Sequence, residues 1–575
     1  MTGKAAHEAA SRSLIIPLFI AVLLLITGVP AFAQSPSPGS PTRIVSRSQL
    51  VLVPVIVRDK SGHPEKGLTK QDFIVQEDGN QRSLAFVEEV STSNAPISRP
   101  ASTDEFTNVQ PANTAPRRLV IMVFDRINTP VFDQNYARYH MGKYHSSSIS
   151  DNALVALVTM DMGAVSVVHD FTDDRDALMA ELAKLRSAPD YGANGTEGQL
   201  DKFGGPDVPI IQDFISQQGK FREAEKAALS HLSIRRTLDA LEQLARAYSG
   251  VPGRKALVWI TASFPFSVNT AGRLLGTSQR DARDSLTELI PIYERVWQVL
   301  NDANMSIYTV DARGLVANSS QMYQARTYTA GDFRSWKAAV DRWREEELMF
   351  GDSIASLRSF AEMTGGKAYV NTNDLTSGFR DAADDSSHYY MLGYYLDSKD
   401  MKAGWRNLKV RPRKEGLEVR ARKGFFVNSK RDDSKDEVEL ALTSPLQMTE
   451  VPLTVRWTEQ KRLPQSQEVH AGFTVTLLPE GITVDEASGN RMGFEALAIA
   501  VAPGGKPAAD VAHKAETRLT AQQFESIRKQ GATYNDFLKL QPGSYTVRFV
   551  IRDLVSGRIG SVIAPLTISG THGQQ

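Results

Sequence analysis

Arg117–Pro130 reads RRLVIMVFDRINTP, and this stretch decides the fold of the centre of the chain. Its apolar part, Leu119–Phe124, shows no alternation, as is typical of a strand whose sheet is covered by helices on both faces. Similar apolar runs recur at 153–158, 165–168, 256–260 and 305–310, and segments with helical spacing lie between them at 135–144, 174–186, 224–248 and 281–301. Strand and helix in alternation predict an α/β domain with a doubly wound, mostly parallel sheet.

The predicted α/β domain spans residues 117–427. A helix near 354–363, a strand at 368–370 and a final strand at Tyr389–Tyr395 complete it, and a hairpin at 408–422 extends or caps the same sheet. Aromatic residues fall on both faces of Tyr389–Tyr395, which favours burial between helices over an exposed platform for sugars. Two polar, Gly-containing segments predict insertions at the ends of the sheet, 187–223 and 316–350.

β-rich units are predicted on both sides of this domain. Leu50–Val57 alternates β-branched residues before a turn, so residues 43–92 predict a small β module. The Ser-, Thr- and Pro-rich segment 93–116 predicts a linker. After a second linker at 428–437, alternating runs such as Tyr545–Ile551 predict an all-β sandwich over 438–575.

Residues 1–33 have the three parts of a secretory signal. Lys4 and Arg12 precede the apolar run Leu14–Ile26, and Gly28–Ala33 supplies a small-x-small cleavage site. Cleavage after Ala33 leaves a flexible lead-in at 34–42 and a secreted or periplasmic protein without a membrane span. Retention of the apolar run as an anchor is the alternative, although the run is shorter than the ~20 residues that cross a bilayer.

Composition restricts the partner and the chemistry. The chain has 66 basic and 66 acidic residues, so no net basic field exists to hold nucleic acid. Cysteine is absent, which excludes disulfides and Cys-ligated zinc. The motifs of nucleophile-elbow hydrolases, zinc proteases and phosphate-binding loops are also missing. The sequence therefore predicts a protein that is not an enzyme.

Four motifs carry a resemblance to a known family. They are Gly67–Phe73 with Glu77–Gly79, Phe124–Pro130, His388–Tyr395 and Val419–Phe426, in this order. With them the chain resembles the secreted von Willebrand factor type A-related proteins of the acidobacterial type. Over residues 117–427 the resemblance implies a von Willebrand factor type A-like sheet, and for the whole protein it implies binding rather than catalysis.

In the von Willebrand factor A family, the loop after the first strand reads Asp-x-Ser-x-Ser and helps to hold a divalent cation. Here Asp125 matches the Asp, Ile127 replaces the first Ser and Thr129 matches the second. Thr196 falls where the family has a Thr, and Thr261–Ser263 stands where Asp-Gly is usual. The resemblance implies a degenerate metal site of Asp125, Thr129 and Thr196, with no certain cofactor and at most a weakly bound Mg²⁺ or Mn²⁺. In the alternative interpretation, Asp125 caps the following helix or bonds its own loop.

Ligands of open α/β sheets collect at the C-terminal ends of the strands. We therefore expect this rim, together with the two insertions, to recognise a protein, matrix or envelope ligand in the manner of an adhesion protein. Asp311 lies on the same rim. The alternative to a ligand contact at Asp311 is an ion pair with Arg126 or Arg313. Two other functions stay open, an extracytoplasmic hydrolase with an unrecognised site and a purely structural envelope protein. The predicted contact residues are Asp125, Asn128, Ser263, Asp311, Trp336 and Trp343.

Overall fold

The computed structural model describes residues 49–92, 105–109, 118–147, 153–162, 165–187, 229, 231–251, 253–262, 264, 280–314, 353–396, 402, 404–427, 435–462 and 467–569. The predicted signal sequence Met1–Ala33, the lead-in 34–42 and, apart from residue 187, both predicted insertions lie outside these ranges. Within the described part of the chain, no helix combines the length and apolar character that a membrane span needs.

Strands and helices are numbered along the chain. The strands are β1 (Gln49–Arg58), β2 (Phe73–Glu77), β3 (Asn80–Arg82), β4 (Phe86–Ser91), β5 (Glu105–Thr107), β6 (Arg118–Asp125), β7 (Ala153–Met160), β8 (Val165–Thr172), β9 (Lys255–Thr261), β10 (Met305–Asp311), β11 (Ala368–Tyr369), β12 (His388–Leu396), β13 (Gly404–Pro412), β14 (Glu418–Ala421), β15 (Gly424–Val427), β16 (Leu453–Arg462), β17 (Val469–Leu477), β18 (Arg491–Val501), β19 (Pro507–Arg518), β20 (Ala532–Leu540), β21 (Gly543–Asp553) and β22 (Ile559–Ile568). The helices are α1 (Val131–Ser147), α2 (Arg175–Lys184), α3 (231–248), α4 (Arg280–Asp302), α5 (353–364), α6 (Thr376–Ser387), α7 (Lys435–Thr443) and α8 (Ala521–Gln530).

The centre is a six-stranded sheet covered by helices on both faces. Its strand order is β11-β10-β9-β6-β7-β8, with β8 antiparallel at one edge and the other neighbours parallel. Every residue of β7, β9 and β10 is buried, because α3, α4 and α5 cover one face while α1, α2 and α6 cover the other. The mixed α/β architecture predicted from the alternating runs is confirmed.

Two four-stranded antiparallel sheets form a first β-sandwich. Their strand orders are β14-β1-β12-β4 and β15-β13-β2-β3. Val53 and Val55 of β1 lie in the core between the sheets with Tyr390 and Leu392 of β12 and Phe425 of β15. The N-terminal strands therefore share a core with strands that lie beyond residue 387, and the six-stranded sheet is inserted between β4 and β12.

This pairing corrects two expectations about the α/β domain. β12, which contains Tyr389–Tyr395, pairs with β1 and β4 and not with the six-stranded sheet. β13 and β14, expected as a hairpin on that sheet, belong to the two different sheets of the sandwich. The physical reason is that the sandwich core covers one face of β12, while the α/β unit covers the start of the other face. Tyr394 lines the sandwich core, Tyr389 reaches the α/β unit to accept a hydrogen bond from the Arg254 backbone N–H, and only Tyr395 of the four tyrosines is exposed.

A second sandwich lies at the C-terminal end. It consists of sheets β20-β17-β16-β5 and β19-β18-β21-β22, with one apolar core between them. β5 comes from the segment 93–116 that was expected to be a linker, and it pairs with the edge of β16. Asn108 anchors it, because its side chain donates to the Met448 carbonyl and accepts from the Leu453 N–H. α7 likewise begins inside the expected linker 428–437.

A buried carboxylate joins the first sandwich to the α/β unit. Asp385 on α6 is fully buried and accepts hydrogen bonds from Arg58 on β1, at 2.7 Å, and from Arg420 on β14. Tyr308 on β10 donates its hydroxyl to the same carboxylate at 2.6 Å. Arg254 donates to the Asp385 carbonyl at 3.3 Å and to the Tyr308 hydroxyl at 3.1 Å. Both parts of the protein therefore meet at one negative charge.

A second buried network joins α3 to the C-terminal sandwich. Arg246 on α3 is 2% exposed and donates to Glu242, to Glu437 on α7 and to Glu450 before β16, at 2.9 to 3.0 Å. Burial lowers the pKa of a guanidinium, yet the three carboxylates raise the pKa of Arg246 above its ordinary value. Arg295 on α4 supplies a second cation by donating to Glu242 at 2.9 Å.

Asp385→Asn is expected to lower the free energy of unfolding by about 3 kcal/mol, because two guanidinium groups lose their buried counter-charge. The adjacent Asp384 is a matched control. Burial raises the pKa of Asp384, so its charge costs free energy in the folded state instead of stabilising it, and Asp384→Asn should leave stability unchanged or raise it slightly. Urea unfolding at pH 7 measures both variants. Equal losses would contradict the role assigned to Asp385.

A buried lysine binds two backbone carbonyl groups at the start of β9. Lys255 is 1% exposed, and its ammonium donates to the carbonyls of Val251, at 2.6 Å, and Gly253, at 3.0 Å, in the turn after α3. Because burial disfavours the charged form, the pKa of Lys255 is lowered from 10.5 to about 7.

The unfolded chain keeps this proton up to about pH 10.5, whereas the folded chain releases it near pH 7, so the folded state binds fewer protons between these values. The free energy of unfolding is therefore expected to rise with pH between these limits, by up to about 1.4 kcal/mol per pH unit from this group. Lys255→Met should flatten the rise, and Lys409→Met, at an exposed position of β13, should not. Denaturant unfolding at a series of pH values measures the slope, and identical slopes for both variants would disprove the assignment.

Candidate functional site

The C-terminal edge of the six-stranded sheet is organised around Asp125, the last residue of β6. This side chain is fully buried. Its Oδ1 accepts hydrogen bonds from the backbone N–H groups of Ile127, at 2.9 Å, and Asn128, at 3.0 Å. Its Oδ2 accepts from Asn128 Nδ2 at 2.8 Å and from the indole N–H of Trp259 at 3.0 Å, and the Thr261 side chain also bonds to the carboxylate. Both carboxylate oxygens are thus used inside the protein.

Asn128 and Thr129 attach this loop to neighbouring elements. Asn128 also donates through Nδ2 to the Thr237 hydroxyl of α3 at 2.8 Å. Thr129 accepts a hydrogen bond at its hydroxyl from the Ala262 N–H, at 3.1 Å, just after β9. Gln134 of α1 donates to the Thr129 carbonyl at 2.8 Å. The loop after β6 is therefore held by two helices and an adjacent strand.

The electrostatics of Asp125 follow from this enclosure. Burial raises the pKa of Asp125 above its ordinary value, although the hydrogen bonds from Asn128, Thr261 and Trp259 oppose that rise. All of these donors are formally neutral, so they stabilise the carboxylate without neutralising its charge. Asp125 accordingly serves as an internal acceptor that fixes the loop, which is the alternative that the sequence left open.

The residues present do not fit a divalent cation. Mg²⁺ and Mn²⁺ need several oxygen ligands with free lone pairs in a near-octahedral array. Asp125 directs both oxygens to protein donors, the Thr129 hydroxyl already bonds to the Ala262 N–H, and position 127 carries a buried isoleucine. Among the described residues, no group of three or more His, Asp or Glu side chains is arranged to hold a metal.

The charged groups of the rim pair with one another. Asp311, at the end of β10, accepts from Arg313 at 2.8 Å and 2.7 Å, so Arg313 and not Arg126 is its partner. Arg126 forms an ion pair with Asp161 at 2.5 Å and donates to the Arg186 carbonyl. Asp311 is buried, whereas the side chains of Arg313, Arg126 and Asp161 are 18 to 22% exposed. The rim therefore presents two partly exposed ion pairs.

Of the predicted contact residues, Asp125, Asn128 and Asp311 lie on this edge, and Thr129 lies there with them. Thr196, Ser263, Trp336 and Trp343 lie outside the described residues. The sequence reasoning missed Trp259 and Thr237. The structure locates Trp259 by its register: Phe124 pairs with Ile260, so Trp259 and Thr261, on either side of Ile260, share the face of Asp125.

Comparison of the sequence with models of known protein families finds no match. A search of curated proteins finds no significant relative either. The resemblance to the von Willebrand factor A family therefore stays a prediction based on the motifs and on the loop after β6.

Asp125→Ala is expected to lower the free energy of unfolding by about 3 kcal/mol or more, because several buried donors, among them the Trp259 indole N–H, lose their acceptor. Asp161→Ala, which breaks a partly exposed ion pair on the same rim, should cost only about 0–1 kcal/mol. Millimolar Mg²⁺ or Mn²⁺ should leave the Tm of the native protein and both variants unchanged. Thermal unfolding measures all three proteins. A cation-dependent rise in Tm that Asp125→Ala abolishes would restore the metal site.

Proposed function

We propose that this chain is an exported binding protein of the adhesion type, which contacts a protein or envelope ligand through the C-terminal edge of its six-stranded sheet. The observation that carries the proposal is the saturation of Asp125 by donors from its own loop, from Trp259 and from Thr261. This arrangement fixes the loop without a cation. The proposed recognition is therefore independent of metal, unlike that of a metal-ion-dependent adhesion site.

The charged rim supports recognition of a polar macromolecular surface. Arginine is enriched at the energetic centres of protein interfaces, and partly exposed charges steer a partner and set its orientation. Arg126 and Arg313 are each held in place by a carboxylate, so less side-chain freedom is lost when a ligand binds. The arrangement fits a ligand that presents carboxylate or carbonyl acceptors to this edge.

The same contacts favour binding over hydrolysis. An acid–base pair for hydrolysis needs a carboxylate that faces a cavity and can exchange a proton with a substrate. In the described part of the rim, Asp125, Asp161 and Asp311 each accept hydrogen bonds from protein groups. That the chain is not an enzyme stays a prediction, as does its export by the signal sequence.

Site-specific photo-crosslinking tests the proposal in the full-length exported chain. A photo-reactive residue replaces Arg186, which is exposed beside the Arg126–Asp161 pair and contributes only its backbone carbonyl to Arg126. The matched control carries it in place of Lys409, an exposed cation of the first sandwich. We expect a discrete protein adduct from position 186 in intact cells, equal in yield with EDTA or Mg²⁺, and no such adduct from position 409.

Two further measurements make the result specific. Arg126→Ala, combined with the probe at position 186, should reduce the yield of the adduct several-fold. An adduct that needs Mg²⁺, or that forms equally from both positions, would refute metal-free recognition at this edge. The absence of any protein adduct at position 186 would refute the binding function proposed for the rim.

A further inference from the structure

The outer face of the sheet β20-β17-β16-β5 carries polar side chains in straight rows. One face of this sheet lines the core of the C-terminal sandwich, with Leu453, Phe473 and Leu538 among the buried residues. The residues between them point the opposite way, because successive side chains of a strand alternate between the faces. The first row across the four strands consists of Thr107, Thr454, Thr476 and Thr533.

A second row lies two residues away from the first on each strand. Arg456 is paired with Glu105 on one side and with Thr474 on the other, and Thr474 is paired with Asn535. The Thr474 hydroxyl donates to the Asn535 side-chain oxygen at 2.6 Å. In each row, neighbouring strands place these groups about 4.8 Å apart, which is close to the length of one sugar ring.

An aromatic side chain interrupts the polar rows. Phe537 of β20 is 41% exposed and stacks on His470 of β17, with ring centroids 4.2 Å apart and an angle of 15° between the planes. Its cross-strand neighbour is Gly472, which has no side chain to cover the ring from that side. The partly exposed ring of Phe537 gives this otherwise polar face one apolar surface on which a ligand can stack.

Positive charge dominates the far end of this face. Lys461, His470 and Lys539 stand in one cross-strand row, and the row that contains Gly472 and Phe537 separates it from the row that contains Arg456. Arg456, Lys461 and Lys539 are exposed. Among the described residues of these two rows, one side chain carries a carboxylate, that of Glu105, which is paired with Arg456. The face therefore complements a ligand that carries regularly spaced negative charges.

We propose that this face binds an acidic polysaccharide, a chain of sugars that carry carboxylates. The apolar C–H side of a sugar ring stacks on Phe537, the threonine and Asn535 side chains bond to sugar hydroxyls, and Arg456 with the two lysines binds the carboxylates. This surface is independent of the rim near Asp125, and neither proposal needs the other. It fits a polysaccharide, because one exposed ring beside rows of hydroxyl and amide groups matches the C–H faces and hydroxyl groups that repeat along a sugar chain.

Affinity electrophoresis of the full-length exported chain tests the proposal. Polygalacturonate, a polymer of a carboxylated sugar, is cast into a native gel, and dextran and poly-glutamate are cast into separate gels. We expect polygalacturonate alone to retard the native protein, with retardation weakened by salt. Phe537→Ala and Arg456→Gln should each weaken the affinity by about tenfold, since one removes the stacking surface and the other a carboxylate ligand.

Matched controls separate the face from general effects of charge and stability. Tyr139→Ala removes another exposed ring, on α1, and Arg411→Gln removes another exposed guanidinium, on β13, so both variants should be retarded like the native protein. Phe537 and Arg456 are exposed, and circular dichroism should show both variants folded. Equal retardation by poly-glutamate would identify a general anion surface and overturn the proposal. Absence of retardation, or unchanged retardation of both variants, would also overturn it.

Discussion

The ion pairs around Asp385 are the interaction on which the arrangement of the first two parts depends. The six-stranded sheet and its helices are inserted between two strands of the first sandwich, and α6 leads into β12 without an intervening loop. Asp385 lies three positions before His388, which begins β12, so the charge sits where the chain returns to the sandwich. Arg58 and Arg420 reach it from β1 and β14. A buried carboxylate without them would be costly, which favours the one arrangement in which these groups meet.

The Arg246 network has the same role at the other junction, with a different charge balance. Three carboxylates surround one guanidinium, and Arg295 adds a second cation from the edge of the cluster. The cost of removing these charges from water offsets most of their mutual attraction. The main effect of the cluster is therefore to specify one docking position. α3 packs under the six-stranded sheet and also contributes Thr237 to the rim. The rim loop and the C-terminal sandwich are thus both attached to this helix.

Local sequence patterns predicted the elements but not all of their partners. The unbroken apolar run Leu119–Phe124 predicted a strand covered on both faces, and β6 is buried along its length after its first residue. Tyr389–Tyr395 gives the same signal for a different reason, because the sandwich core covers one of its faces and the α/β unit covers the start of the other face, where Tyr389 lies. β5 has three residues, which is too short to show a period. At the rim, Asp125 and its loop bonds were accessible to sequence reasoning, whereas Trp259 and Thr237 contact that loop from 134 and 109 residues away.

The way in which Asp125 is satisfied restricts the kind of ligand that the function proposed for the rim allows. A bound divalent cation would neutralise this carboxylate and offer open coordination positions to an acidic group of a ligand. Neutral N–H and O–H donors leave the negative charge in place, which is why burial raises the pKa of Asp125 despite its many hydrogen bonds. An acidic ligand group would therefore find its positive partner in the guanidinium groups of Arg126 and Arg313. Because each guanidinium already binds a carboxylate of the protein, a ligand must compete for it, and this competition favours modest affinity with strong dependence on salt.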